Sequence, residues 1–135
     1  MIIERQKMRK GKMRTRWIPL IQGFYFLITA VWPLIYLQSF IAVTGPKTDL
    51  WLVKTVGFLL LPYAVFCFWA ALVQRPIPQV LSGSMMLLGV CLAGVEFYYY
   101  ARGVISAVYE MDAVLQILFA AWWSFHFFGT PVRDD

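Results

Sequence analysis

LWLVKTVGFLLLPYAVFCFWAALV, residues 50–73, is a run of 24 residues in which Lys54 is the only charged side chain. Because an α-helix rises about 1.5 Å per residue, about 20 apolar residues cross a hydrocarbon core roughly 30 Å thick. Residues 50–73 are therefore long enough and apolar enough to form a transmembrane helix.

Three other stretches of the chain have the same character, namely residues 17–43, 77–100 and 106–128. The whole sequence is 61% hydrophobic and 14% charged, values outside the range of ordinary soluble domains. We predict an all-α fold, an integral membrane four-helix transmembrane bundle. It would occupy residues 17–130, between a basic N-terminal segment at residues 1–16 and a short tail at residues 131–135, and we expect no separate soluble domain.

Positive charge is concentrated before the first predicted span, where residues 1–16 hold seven of the twelve Lys and Arg residues. With Arg75 and Arg133, nine basic residues lie at the end of the bundle that carries both termini, and Lys47, Lys54 and Arg102 lie at the other. Basic residues beside transmembrane helices favour the cytoplasmic side and contact anionic lipid headgroups. We therefore predict cytoplasmic N- and C-termini in the inner (plasma) membrane of a bacterium, and no nucleic-acid binding.

The first predicted span is longer than the apolar region of a secretory signal peptide, which has about 7–15 residues. Residues 17–43 number 27. We expect this segment to remain in the membrane, where its excess length requires tilt or a kink near Pro33.

The predicted connections contain residues that end or begin helices. Gly45-Pro46 should end the first helix, because proline cannot donate the next backbone hydrogen bond. Thr48 or Asp49 can cap the N-terminus of the second helix. Gly103 suits the left-handed conformation that ends a helix, and Ser106 suits the cap of the fourth.

Two charged residues of opposite sign lie inside spans at matched depth. Lys54 is four residues from the outer end of the second span and Glu96 is four residues from the outer end of the third. Because unpaired charge is costly in hydrocarbon, the two predict an ion pair. The alternative is that Lys54 extends to the headgroups while Glu96 is protonated or bonded to a tyrosine.

Helical spacing predicts a polar site near the same interface. Ser82, Gly89, Ala93, Glu96 and Tyr100 share one face of the third helix, and its small residues favour close helix packing. Asp112 and Gln116 are one turn apart on the fourth helix, and Gln38 lies near the outer end of the first. Together they could line a ligand pocket. Alternatively, Asp112 only benefits from the helix dipole in the first turns of its helix, and the tyrosines form an interfacial belt.

Familiar catalytic and metal-binding patterns are missing from the sequence. Cys67 and Cys91 lie in separate spans, without a paired-thiol motif, and His126 is the only histidine. One histidine cannot supply a two-ligand heme site, and no second His or Cys lies near it in the sequence for zinc. We expect no cofactor and no metal, and we leave open whether the chain has an enzymatic activity.

Residues 43–57, VTGPKTDLWLVKTVG, resemble a segment of small uncharacterised bacterial proteins with four predicted spans, as does the whole layout. That resemblance implies a membrane protein without an assigned activity. A looser likeness is to the emopamil-binding and sigma-2 receptor group, whose four-helix modules bind sterols or other lipids through intramembrane carboxylates, and to DoxX-like proteins. It implies that Glu96 and Asp112 are counterparts in kind of those carboxylates.

Two hypotheses about function remain. In the first, the chain is a non-enzymatic subunit or scaffold of a membrane assembly, either a homo-oligomer or a complex with another membrane protein. In the second, it binds, carries or isomerises a lipid-like or other small hydrophobic molecule, with Glu96, Asp112, Gln116, Lys54, Gln38 and Tyr100 as candidate ligand-binding residues. The first predicts polar groups that are paired internally and an apolar flank with small residues, and the second predicts a cavity.

Overall fold

The chain is all-α in a computed structural model that describes residues 1–6, 16–73 and 75–129. Besides a short helical stretch at residues 2–6, the described residues form α1 (Trp17–Ile35), α2 (Leu37–Thr44), α3 (Leu50–Leu72), α4 (Gln79–Ala101) and α5 (Ala107–Gly129). Most of the predicted basic segment, residues 7–15, and the tail at residues 131–135 lie outside the described residues.

Four of these helices, α1, α3, α4 and α5, have the length and apolar composition to cross a membrane. Each has 19 or 23 residues, which corresponds to roughly 28–35 Å of helix. The prediction of four apolar spans in an all-α fold is confirmed. The chain is a multi-pass integral membrane protein.

The helices belong to two compact units. In the unit formed by the described residues of 1–38 and 48–73, α1 packs against α3; in the unit formed by the described residues of 39–47 and 75–129, α4 packs against α5. Most of α2 belongs to the second unit. Each unit therefore contains a pair of long helices.

The segment predicted as the first span is divided at Tyr36. Pro33 is buried inside α1, which ends at Ile35, and Tyr36 has φ −137° and ψ 73°. The Tyr36 amide still donates to the Trp32 carbonyl oxygen at 2.9 Å, so regular helix geometry persists up to this residue. The interruption is three residues after Pro33 and separates α1 from α2.

In the connections between helices, the two glycines have the predicted backbone conformation, but the predicted side-chain cap at Asp49 does not form. Gly45 and Gly103 have φ of +92° and +68°, the left-handed region in which glycine has no steric penalty. Asp49 precedes α3, but its side chain makes no capping hydrogen bond. The Ser106 hydroxyl donates to the Thr44 carbonyl oxygen at 3.2 Å. This hydrogen bond joins the end of α2 to the residue that precedes α5.

The α1–α3 pair is built on small residues at its crossing. A Cβ atom added to Gly57 would lie 2.8 Å from the Ala30 carbonyl oxygen, closer than side chains normally approach. Ala30 and Ala64 are both fully buried. Small residues let helix backbones approach closely in a bilayer, where van der Waals packing drives helix association.

Candidate functional site

Small residues bring α4 and α5 close together near the middle of the two helices. The buried residues of α4 are Ser82, Met85, Gly89 and Ala93, which recur at intervals of three or four and so form one helical face. A Cβ atom added to Gly89 would lie 2.9 Å from the Gln116 carbonyl oxygen and 3.0 Å from the Ala120 Cβ. The predicted face of α4 is therefore the one that packs against α5.

Three of the predicted site residues meet near the α4–α5 connection. The carboxyl group of Glu96 on α4 lies close enough to that of Asp112 on α5 for the two to interact, and Gln116 Nε2 donates to Asp112 Oδ1 at 3.1 Å. Glu96 lies five residues before the end of α4 and Asp112 five residues after the start of α5, which places both about 7 Å below that end of the helices. We call Glu96, Asp112 and Gln116 the polar cluster.

The three side chains of the polar cluster differ in burial. Glu96 and Asp112 are half-buried, whereas Gln116 is only 2% exposed. The neighbouring carboxyl groups of Glu96 and Asp112 are the part of the polar cluster in which side chains of α4 and α5 meet.

Three polar atoms in this unit are buried without a hydrogen-bond partner in the described chain. They are Ser82 Oγ, Glu96 Oε2 and Gln116 Oε1. A buried polar atom that lacks a partner costs about 1–3 kcal/mol. Two of the three belong to the polar cluster, so its oxygen atoms have unused capacity to accept a proton donor or a cation.

The remaining candidate residues are placed differently. Lys54 and Gln38 are exposed and belong to the α1–α3 unit, and the Lys54–Glu96 ion pair stays a prediction. Tyr100 lies one turn beyond Glu96 on α4 and is 37% exposed. Glu96, Asp112 and Gln116 are thus the candidates that the structure brings together.

Gln22 is a buried polar residue that the sequence analysis did not select. It is 1% exposed within α1, on the same face as the buried Phe26, Ala30 and Pro33. Because these four residues are spaced by four, four and three positions, their helical periodicity could have identified Gln22 as part of a buried face. Gln22 lies only five residues after the start of α1, a position at which a polar side chain also suits the membrane interface.

The thiols and the imidazole are separated from the polar cluster in the sequence and make different contacts. Cys67 is buried in α3 and Cys91 is exposed on α4, and both are free thiols. The His126 ring lies 4.3 Å from the Trp122 ring between centroids, in the aromatic environment expected from the sequence. Within the described ranges, no group of three or more His, Cys, Asp or Glu side chains could hold a metal ion.

Comparisons of the chain with protein-family models, with curated proteins and with solved structures find no match. These comparisons therefore assign no family to the chain, in spite of the resemblance of residues 43–57 to small bacterial four-span proteins. Of the features that this resemblance implied, the four apolar helices long enough to cross a membrane are confirmed.

Proposed function

We propose that the chain is a non-enzymatic subunit or scaffold of a membrane assembly, in which an exposed face of α4 contacts a further transmembrane helix. The proposal is based on the residues that form this exposed face. The exposed α4 face consists of Ser84, Leu87, Cys91, Gly94 and Tyr98. These residues follow intervals of three and four and lie opposite the face that packs on α5.

The exposed α4 face has the composition of a helix–helix interface. Ser84, Cys91 and Gly94 are small, and a Cβ atom added to Gly94 would have no atom within 4 Å. In a bilayer, lipid is as apolar as leucine, so helices associate where small residues permit close backbone contact. The open space at Gly94 can therefore receive a helix of a second copy or of another membrane protein.

The close crossing of α4 and α5 supports the same function. Glu96 of α4 interacts with Asp112 of α5, and a methyl group added at Gly89 would meet the Gln116 carbonyl oxygen and the Ala120 Cβ. Glu96 Oε2 and Gln116 Oε1 have no hydrogen-bond partner among the described residues. Polar side chains that bond across helices stabilise helix pairs in membranes. The polar cluster accordingly has a structural role in this proposal.

Photo-crosslinking in native membranes tests the contact. A photoreactive amino acid replaces Gly94 in one variant and Leu118 in another, because Leu118 is also apolar and 61% exposed but lies on α5. We expect a discrete protein adduct, either a dimer or one defined partner, at position 94 and not at position 118. Adducts to lipid alone at both positions would refute the proposal.

The proposed orientation places both termini in the cytoplasm of a bacterium. It rests on the nine basic residues at one end of the bundle and the three at the other, because basic residues favour the cytoplasmic side. A C-terminal fusion to a fluorescent protein that matures only in the cytoplasm should therefore be fluorescent. A fusion that is inserted in the membrane but is not fluorescent would show that the C-terminus lies on the opposite side of the membrane.

The second candidate function is the binding of a lipid-like or other small hydrophobic molecule. The observation in its favour is that Ser82 Oγ, Glu96 Oε2 and Gln116 Oε1 are buried without partners, since a polar group of a ligand could satisfy them. This function predicts that a lipid-like adduct purifies with the wild-type chain and is lost from the Glu96→Gln variant. Equal adducts in both proteins would argue against it.

A further inference from the structure

We propose that the polar cluster binds an O–H donor, which is a water molecule or the hydroxyl group of an amphiphile, between Glu96 Oε2 and Gln116 Oε1. The inference extends the second candidate function, and it rests on that function only if the O–H group belongs to an amphiphile. It does not depend on the contact proposed for the exposed α4 face.

The register of α4 against α5 sets the depth of Glu96. The two helices are joined by the five residues 102–106 and therefore run antiparallel. A Cβ atom added to Gly89 would lie 3.0 Å from the Ala120 Cβ. Seven residues, about two turns, lead from Gly89 forward to Glu96 and from Ala120 back to Ala113. Glu96 therefore lies beside Ala113.

The Gln116 amide reaches the same depth from α5. Side chains of a helix lean toward its N-terminus, and Gln116 Nε2 donates to Asp112 Oδ1 at 3.1 Å, which holds the amide one turn in that direction. Asp112 directly precedes Ala113. Because α4 runs the other way, the Glu96 side chain leans toward the amide. The carboxyl group of Glu96 and the amide of Gln116 thus converge from the two helices.

Both oxygen atoms are buried acceptors that need a donor. Glu96 Oε2 and Gln116 Oε1 have no hydrogen-bond partner among the described residues, and the Gln116 side chain is only 2% exposed. An amide oxygen accepts hydrogen bonds and does not donate them. A buried polar atom without a partner costs about 1–3 kcal/mol, so a bound donor at this position is favourable.

An O–H group matches the pair of oxygen atoms better than an ammonium group does. Water and hydroxyl groups combine donor and acceptor capacity, whereas an ammonium group only donates. A water molecule can donate to Gln116 Oε1 and also donate to an ionised Glu96 or accept from a neutral one. An alcohol satisfies both atoms when Glu96 is neutral. The ligand chemistry is therefore that of an O–H group.

The space beside the two oxygen atoms suits a small group. Ala93, one turn before Glu96 on α4, and Ala113 on α5 are both fully buried, so the two helix backbones lie close together here. Glu96 itself is half-buried and lies about 7 Å from the end of α4. A water molecule can enter from that end, and an amphiphile can insert its hydroxyl group while its chain stays in the lipid.

A crystal structure that shows ordered water tests the site. The full chain is purified and crystallised in dodecyldimethylamine oxide, a detergent without a hydroxyl group, so that any O–H group comes from water or from a co-purified lipid. We expect density about 2.5–3.0 Å from both Glu96 Oε2 and Gln116 Oε1. An isolated peak identifies water. Density that continues into a chain, together with a lipid mass on the protein in native mass spectrometry, identifies an amphiphile.

Two variants connect the density to the amide oxygen. Gln116→Met removes this oxygen at similar side-chain length and should abolish the density and any lipid mass. Ser82→Ala is the control, because the Ser82 hydroxyl is also buried without a partner in the described chain but lies 14 residues before Glu96, about 21 Å along α4. This variant should keep the density. If Gln116→Met does not fold, the wild-type structure alone decides.

The proposal fails if the wild-type structure has no density between the two oxygen atoms, or if the same density persists in Gln116→Met. Neither result affects crosslinking at position 94, so the subunit function is tested separately. An isolated water peak without a lipid mass supports the O–H site and contradicts the second candidate function.

Discussion

Replacement of Gly89 by alanine should weaken the α4–α5 pair, whereas replacement of Gly94 by alanine should not. Both glycines lie inside α4, so both substitutions gain the helix propensity of alanine, about 0.5–1 kcal/mol. Only at position 89 does the new methyl group meet fixed atoms, the Gln116 carbonyl oxygen at 2.9 Å and the Ala120 Cβ at 3.0 Å. At position 94 it meets no atom within 4 Å.

The difference between the two variants isolates the cost of the contact. Extra methyl groups in a well-packed interior typically cost about 1–3 kcal/mol, and the propensity gain cancels because both sites are in the same helix. We therefore expect Gly89→Ala to be about 1–3 kcal/mol less stable than Gly94→Ala. Unfolding by sodium dodecyl sulfate in mixed micelles, followed by circular dichroism, measures this difference. Equal unfolding midpoints for the two variants would refute the close crossing at Gly89.

Further substitutions test other parts of the fold. Gly57→Ala places a methyl group 2.8 Å from the Ala30 carbonyl oxygen and should cost about 1–3 kcal/mol in the same unfolding assay; a gain in stability would contradict the α1–α3 crossing. Ser106→Ala removes the hydrogen bond to the Thr44 carbonyl oxygen and should cost about 0.5–1.5 kcal/mol. Ser84→Ala is its control and should change stability by less, because the exposed Ser84 hydroxyl bonds only to Val80 of its own helix. The predicted Lys54–Glu96 ion pair requires that Lys54→Met destabilise the protein, because Glu96 would lose its partner, and that adding Glu96→Gln recover much of the loss; equal losses in the single and double variants would exclude the pair.

The spans and the α4 face could be predicted from the sequence because both depend on local pattern. Long apolar runs have one stable arrangement in hydrocarbon, where a helix satisfies its own backbone. Ser82, Gly89 and Ala93 are small residues at helical spacing, and they occupy the buried face of α4. Gly45 and Gly103 adopt the positive φ angles for which glycine is suited.

The remaining features depend on contacts between residues far apart in the chain. The Ser106 hydroxyl donates to the carbonyl oxygen of Thr44, 62 residues away, a contact that the sequence pattern did not predict. The contact of Glu96 with Asp112 depends on the register of α4 against α5, which no local pattern specifies. The Lys54–Glu96 ion pair, based on matched depth in the sequence, stays a prediction.

Native mass spectrometry of the protein extracted in mild detergent tests the proposed membrane-subunit function most directly. We predict that the wild-type chain retains a second copy of itself or one defined membrane protein. The Gly94→Leu variant should lose this bound protein, and the Gly94→Ala variant should keep it. Glu96→Gln should leave the complex in place, because Glu96 lies outside the exposed α4 face. A wild-type monomer that carries only a lipid-like adduct, lost in Glu96→Gln, would contradict the subunit function and favour ligand binding.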